Sequence, residues 1–362
     1  MAVQTMAPVW GAALAVPAAV LLGGWLVFRP RSRRGRVRLC RVALTAGVLA
    51  LALAACTALA ARCAGLGRAA AYTGCKTGLT TKPAAAPPAE DWYAGLTVQD
   101  GGFAQPLEAR AALLIDITQG CILYRKAADE LLAPASTAKL LTALTAWALC
   151  GPDELVTVGS ELGYVAADAS RAGLAAGDTL TLRQLTCAML LPSGNDAAYT
   201  LAAHAGRVLA GPGCPDETAL ACFVQAMNEQ AAALGACGSC FATPDGYDAD
   251  GQYTTAADLA RIACAFLQNE ELAALAAQPS AVLELAGGRQ LACRNTNLLL
   301  DPAGPWYDPC VTGLKTGRTS AAGCCLISSA RTEQGQYLCI VMGSSETGRW
   351  ADSLALLRSV GA

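Results

Sequence analysis

Leu132-Ala133-Pro134-Ala135-Ser136-Thr137-Ala138-Lys139-Leu140-Leu141-Thr142-Ala143 is the stretch that decides how this chain is built. Pro134 closes what precedes it, and from Ser136 to Leu149 apolar residues recur at helical spacing without a breaker. A helix starting at the serine is the expectation. Serine and lysine at i and i+3 share one face of such a helix, so the amine reaches the hydroxyl. A hydroxyl is a weak nucleophile unless a base stands beside it, and a desolvated, neutral lysine is such a base. Unpaired amides and the positive dipole end at the helix start favour a developing oxyanion. A lone Ser-x-x-Lys, however, arises by chance in many proteins.

Two further motifs follow in order, Ser193-Gly194-Asn195 and Lys315-Thr316-Gly317. Each has its own setting. Upstream of Ser136, Ala111–Ile117 and Cys121–Lys126 are β-prone runs parted by Thr118-Gln119-Gly120, a hairpin pattern. The middle reads as helices at Leu182–Leu191, Asp196–Ala210, Glu217–Leu234 and Thr255–Leu267. Strands return at Ala281–Leu285, Gln290–Arg294, Val311–Thr316, Gly323–Ala330 and Tyr337–Gly343, and a last helix spans Arg349–Val360. Strands at both ends with helices between predict an α+β fold. Its mainly antiparallel sheet is built from both ends of the domain, with a segregated helical subdomain. The three motifs then fall at a helix start, an interhelix loop and a sheet strand, as the set S-x-x-K, S-D-N and K-T-G requires.

Over roughly residues 105–360 the chain resembles the serine D-alanyl-D-alanine carboxypeptidases, low-molecular-mass penicillin-binding proteins of the S11 peptidase type. Beyond the three motifs, the resemblance rests on Met189–Ala198, Met227-Asn228 with Leu234-Gly235, Phe241–Gly246, Thr254–Ala260 and Asn295-Thr296-Asn297. It implies a β-lactamase/DD-peptidase-like fold and an acyl-enzyme formed by Ser136, with Lys139 taking its proton. It further implies that Ser193, with Lys315, relays a proton to the departing D-alanine and that Asn195 holds the substrate amide. The backbone N–H groups of Ser136 and Arg318 would hold the oxyanion. Thr316, Gly317 and Arg349 complete the implied substrate site, with Thr316 and Arg349 on the terminal carboxylate. Peptidoglycan stem peptides and β-lactams are the implied partners; no metal or organic cofactor enters. Two positions depart from the family pattern, Thr243 for asparagine and Gln252 for histidine. Two other readings of the same motifs are a β-lactamase and a non-catalytic β-lactam sensor. No convincing Glu-x-x-x-Asn lies between Ser193 and Lys315 to serve the first, and the cytoplasmic piece is too short for the second.

The chain is 54% hydrophobic and 15% charged. Residues 1–82 hold 11 of the 26 Lys and Arg and no acid, leaving 15 basic against 28 acidic residues downstream. So acidic a remainder argues against nucleic acid as a partner. Ala7–Phe28 and Val42–Ala61 are apolar runs flanking seven arginines within Arg29–Arg41. The positive-inside rule puts that cluster in the cytoplasm. Residues 1–61 are thus expected to be a membrane segment, 62–108 an Ala/Pro-rich linker, and 109–362 the folded domain outside the cell membrane. A signal peptide cleaved after Ala58-Leu59-Ala60, or lipidation of Cys56, would export the same domain.

Among 17 cysteines, Cys237 and Cys240 form the single C-x-x-C, and Cys214 and Cys222 are close enough to pair. A local disulfide or free thiols are both open. With one histidine and no second C-x-x-C, no metal site is expected. That histidine, His204, falls mid-helix, so a Ser-His-Asp triad is not expected either.

Overall fold

Ala111–Asp116 (β2) is buried at every position, as a strand must be when both faces of its sheet are covered. In the computed structural model, which describes Tyr93, residues 95–99 and residues 103–361, β2 lies at the middle of a six-stranded sheet. Its partners are Cys121–Lys126 (β3) on one side and Gln336–Ser344 (β10) on the other. The order is β1-β3-β2-β10-β9-β8, with β1 at Thr97–Val98, β8 at Val311–Thr319 and β9 at Gly323–Arg331. Every pairing is antiparallel except that of β1 with β3. Both ends of the domain therefore build one sheet, as expected.

Successive side chains of a strand point to opposite faces, and β2 feeds two cores accordingly. Ala111, Leu113 and Ile115 join the larger, helical core. Ala112 and Leu114 join a smaller one with Leu326, Val341 and Trp350. The larger core gathers Lys139–Leu149 (α1), Leu182–Leu190 (α2), Asn195–Ala210 (α3), Asp216–Ala233 (α4) and Ala256–Gln268 (α5). Glu270–Ala276 (α6) follows α5, and Gly348–Arg358 (α7) covers the other face of the sheet. Helix α2 starts on a full capping box, in which Thr181 and Gln184 satisfy each other's backbone amides.

Three expectations shift. The folded part begins before residue 109: Thr97 and Val98 pair with Cys121 and Ile122, Tyr93 is buried, and Phe103 and Leu107 pack on the smaller core. Short strands and irregular backbone within an Ala/Pro-rich stretch carry no periodic signal, so the boundary could not be read there. Ser280–Glu284 (β6) and Gln290–Arg294 (β7) stay outside the main sheet as a separate hairpin. Only one side of that hairpin is covered, and Leu283, Leu291 and Cys293 are its inward residues. A third pair, Leu155–Thr157 (β4) with Thr179–Thr181 (β5), was not anticipated, each strand being three residues long. The expected membrane helices, Cys56 and most of the linker lie outside the described residues. Among the described residues no helix is long and apolar enough to cross a membrane.

Candidate active site

The expected α-helix beginning at Ser136 is divided. Ala135–Ala138 makes one 3-10 turn, and Lys139 is the first residue of α1. Ser136 thus stands on a tight turn just ahead of the helix, half-buried and reachable, while Lys139 is fully buried. The turn is held from three sides. Thr137 Oγ1 donates to Pro134 O (2.6 Å), and Thr142 Oγ1 donates to Pro244 O (2.6 Å), which docks the 243–247 loop on α1. From the third side comes β8, at Gly317. A Cβ at Gly317 would lie 2.9 Å from Ala135 Cβ and 3.2 Å from Ser136 N, so only glycine lets the strand approach the Ser136 amide this closely.

Lys139 Nζ donates to Ser136 Oγ (2.7 Å), to Asn195 Oδ1 (2.6 Å) and to Asp245 O (3.1 Å). Burial lowers its pKa to about 8, against the opposing pull of the Asp245 and Asp196 carboxylates. An amine with that pKa is neutral for a useful fraction of the time near neutral pH, as a base must be. Asn195 is the first residue of α3 and is buried. Ser193, two residues earlier, is 6% exposed and takes φ +61°, a left-handed conformation uncommon for serine. Gly194 between them is required by space, since a Cβ there would meet Ala188 O at 2.7 Å. Lys139 touches both Ser136 and Asn195; Ser193 is brought in by its place in the same turn as Asn195.

Lys315 on β8 is 1% exposed. Its Nζ donates to Thr316 O (3.0 Å), and burial, then the positive charges of Lys139 and Arg349, hold its pKa well below the usual lysine value. Thr316 Oγ1 bonds Thr296 Oγ1 at 2.7 Å. Arg318 points outward, mostly exposed, 3.7 Å from Glu346. Arg349, the second residue of α7, has its guanidinium 4.4 Å from the Trp350 ring centroid. Burial lowers its pKa, and its Nε is buried without a hydrogen-bond partner. It therefore lies within electrostatic reach of Lys315 but touches none of the three central residues.

The chain's sequence matches that of one family, described as D-alanyl-D-alanine carboxypeptidase (peptidase S11), across residues 99–346. It belongs to the S11 peptidases. Among curated relatives it is 29% identical over 252 residues to the D-alanyl-D-alanine carboxypeptidase DacF of Bacillus subtilis, covering 68% of this chain and 61% of that one. To DacB2 of Mycobacterium tuberculosis it is 35% identical over 239 residues, covering 65% and 74%. It thus spans less than two thirds of the length of the first of these. Among solved structures, the DD-transpeptidase of Streptomyces K15 superposes with a TM-score of 0.64 at 29% identity, covering 70% of this chain and 97% of that one. Penicillin binding protein 6B of Escherichia coli gives 0.61 at 31%, covering 73% and 81%.

Within this S11 domain, Ser136, Lys139, Ser193, Asn195 and Lys315 all fall inside the matched span, whereas Arg349 lies just beyond it. The two departures from the family pattern prove to be neighbours. Gln252 Oε1 accepts from the amides of Ala242 (3.0 Å) and Thr243 (3.1 Å), and Thr243 Oγ1 donates to it at 3.3 Å. Thr243 Oγ1 also accepts from Gly246 N (3.1 Å). Together they shape the loop that offers Asp245 O to Lys139. Sequence reasoning missed this role for Asp245 because a backbone carbonyl has no side-chain signature. Gly246 carried the signal: its φ is +77°, and a Cβ would lie 1.9 Å from Ala135 O. Asp196 was missed as well. Its buried carboxylate accepts from the amides of Ala172, Gly173 and Leu174 (2.8–3.0 Å), tying that loop to the Ser193-Gly194-Asn195 turn. The described Cys237–Cys240 and Cys214–Cys222 pairs are not bridged.

Proposed function

We propose that this S11 domain is a serine D-alanyl-D-alanine carboxypeptidase, removing the terminal D-alanine from peptidoglycan stem pentapeptides. The observation that carries the reading is the 2.7 Å contact between Ser136 Oγ and the buried Nζ of Lys139, whose pKa is brought down to about 8. In the neutral state the amine accepts the hydroxyl proton as Oγ bonds to the carbonyl carbon between the two D-alanines. The negative oxygen that forms is held by the N–H groups of Ser136 and Arg318; losing one such donor typically costs ~3–4 kcal/mol of barrier. As the C–N bond breaks, the leaving amine takes a proton through Ser193 and Lys315. Water then adds to the ester, giving its proton to Lys139, and Ser136 Oγ departs with a proton regained. Asn195 orients the substrate amide. Thr316 and Arg349 pair with the terminal carboxylate, Gly317 keeping β8 close enough to do so. The Arg349 guanidinium lies within electrostatic reach of Lys315, a setting that suits an anionic substrate end.

A β-lactam places a strained amide where the scissile bond belongs, so the same attack leaves a stable penicilloyl ester. Labelled penicillin should modify the protein at Ser136 and fail to modify Ser136→Ala. Rapid release of hydrolysed penicillin would instead favour a β-lactamase, and the absence of any adduct on folded protein would contradict the proposal. A second acceptor deserves a parallel assay, because one structural neighbour is a DD-transpeptidase: an added amino-acid amine would compete with water for the acyl group. The domain arrangement we propose is the one the N-terminal sequence supports, with residues 1–61 anchoring the chain and the S11 domain outside the cell membrane, where peptidoglycan lies.

A further inference from the structure

The C-terminal end of α1 and the middle of α3 bring together three side chains that no sequence motif joins. Cys150 is the C-cap residue just after α1, Glu154 follows it by four residues, and His204, the chain's one histidine, projects from α3. Cys150 Sγ, one oxygen of Glu154 and one ring nitrogen of His204 lie within 4.8 Å of one another. Glu154 is already oriented: Oε1 accepts from Gly151 N (2.7 Å), leaving Oε2 to face His204 Nε2 at 3.2 Å. Its own backbone is fastened too, its carbonyl accepting from Leu182 N at the head of α2.

We infer that Cys150, Glu154 and His204 form a binding site for a borderline divalent metal ion, Zn2+ by ligand type. Thiolate, carboxylate and imidazole are the three protein ligands zinc accepts, at about 2.0–2.3 Å, with water filling a fourth tetrahedral position. Such bonds set neighbouring ligand atoms roughly 3.3–3.8 Å apart. Small rotations of Glu154 and His204, both partly exposed, bring the trio from its present spacing to that geometry. Charge also fits. One thiolate and one carboxylate neutralise a dication, so the complex carries no net charge beside the core that buries Cys150. Without metal, burial and then the Glu154 charge keep the thiol protonated; on binding, the metal takes the place of that proton, which leaves to solvent. Spacing arguments missed the site because His204 comes from a separate element, 50 residues beyond Glu154.

The consequence is architectural. Helices α1 and α3 begin with Lys139 and Asn195, which touch in the active site. Zn2+ at Cys150, Glu154 and His204 ties the same two helices together a second time, about three turns away along α1.

The test is equilibrium dialysis of the reduced full chain against Zn2+, with bound metal counted by elemental analysis. Wild type is expected to retain about one equivalent more than Cys150→Ser or His204→Gln, with at least tenfold weaker binding in each variant. Penicillin labelling at Ser136 reports whether the variants are folded. Equal metal content in wild type and folded variants would overturn the inference, assigning any bound zinc to other thiols such as Cys237 and Cys240. If the variants do not fold, Co2+ added to wild type decides. A thiolate-to-cobalt charge-transfer band that survives in Cys237→Ser/Cys240→Ser supports the site, and its absence overturns it.

Discussion

Lys139 Nζ stands 2.6 Å from Asn195 Oδ1, so the first residues of α1 and α3 hold each other across the centre of the site. Each helix arrives carrying one motif, and β8 brings the third along the open side. The lysine is thereby placed, fully buried, among Ser136, Asn195 and the Asp245 carbonyl. A base in that position has consequences that can be measured.

The first concerns pH. With its pKa near 8, Lys139 must lose a proton before it can take one from Ser136. Below that value the rate of penicillin acylation should fall about tenfold per pH unit. Stopped-flow labelling between pH 5 and pH 9 checks this; a flat profile through that window would remove Lys139 as the base.

Asp245 gives the sign of a second effect. Lys139 is faced by two carboxylates, Asp245 and Asp196, which favour its charged form, and it lies near Lys315, whose own pKa the Lys139 charge lowers. Asp245→Asn removes a negative charge and leaves the backbone carbonyl in place. The Lys139 pKa then drops, and the acid limb of the acylation profile moves to lower pH. A merely structural role for Asp245 would change the rate without moving the limb.

Two glycines of nearly equal φ separate strain from crowding. Gly246 (φ +77°) would place a Cβ 1.9 Å from Ala135 O, whereas Gly288 (φ +78°), in the β6–β7 turn, faces open space. Both alanine variants carry a left-handed residue worth ~1–2 kcal/mol of destabilisation. Gly246→Ala should also displace the Ser136 turn and cut acylation at least a hundredfold, while Gly288→Ala acylates at the wild-type rate. Kinetics of penicillin labelling, with thermal melts alongside, read the two effects apart.

Asp196 is a stability test. Its carboxylate accepts from three amides of the 172–174 loop, and from Ala197 N as well. Asp196→Ala strands those donors, each costing ~1–3 kcal/mol if it stays buried. A Tm lower by roughly 5–10 °C is expected for a domain of this size, and calorimetry would show it.

Much of this was legible before the structure, and for identifiable reasons. Helices α2 to α5 announce themselves through apolar periodicity sustained over two turns or more, and β8 to β10 through long β-prone runs. Ser136, Lys139, Asn195 and Lys315 were readable because the chemistry we propose uses their side chains. What stayed hidden is of two kinds. Elements of two or three residues, such as β1, β4 and β5, are too short to show a period. Contacts made through the backbone leave no residue-type trace: the Asp245 carbonyl on Lys139, or the 172–174 amides on Asp196. Ser136 was expected as the first residue of an α-helix. It lies instead in a 3-10 turn because Ala135, at φ +47°, and the 243–247 loop bend the chain just before α1 begins.

The most direct measurement is D-alanine release from a pentapeptide ending in D-Ala-D-Ala, by wild type and by Ser136→Ala, each shown to be folded. We predict one D-alanine per peptide from wild type and a rate at least a thousandfold lower from the variant. Release by Ser136→Ala at the wild-type rate, or none from wild-type protein that penicillin labels, would contradict it.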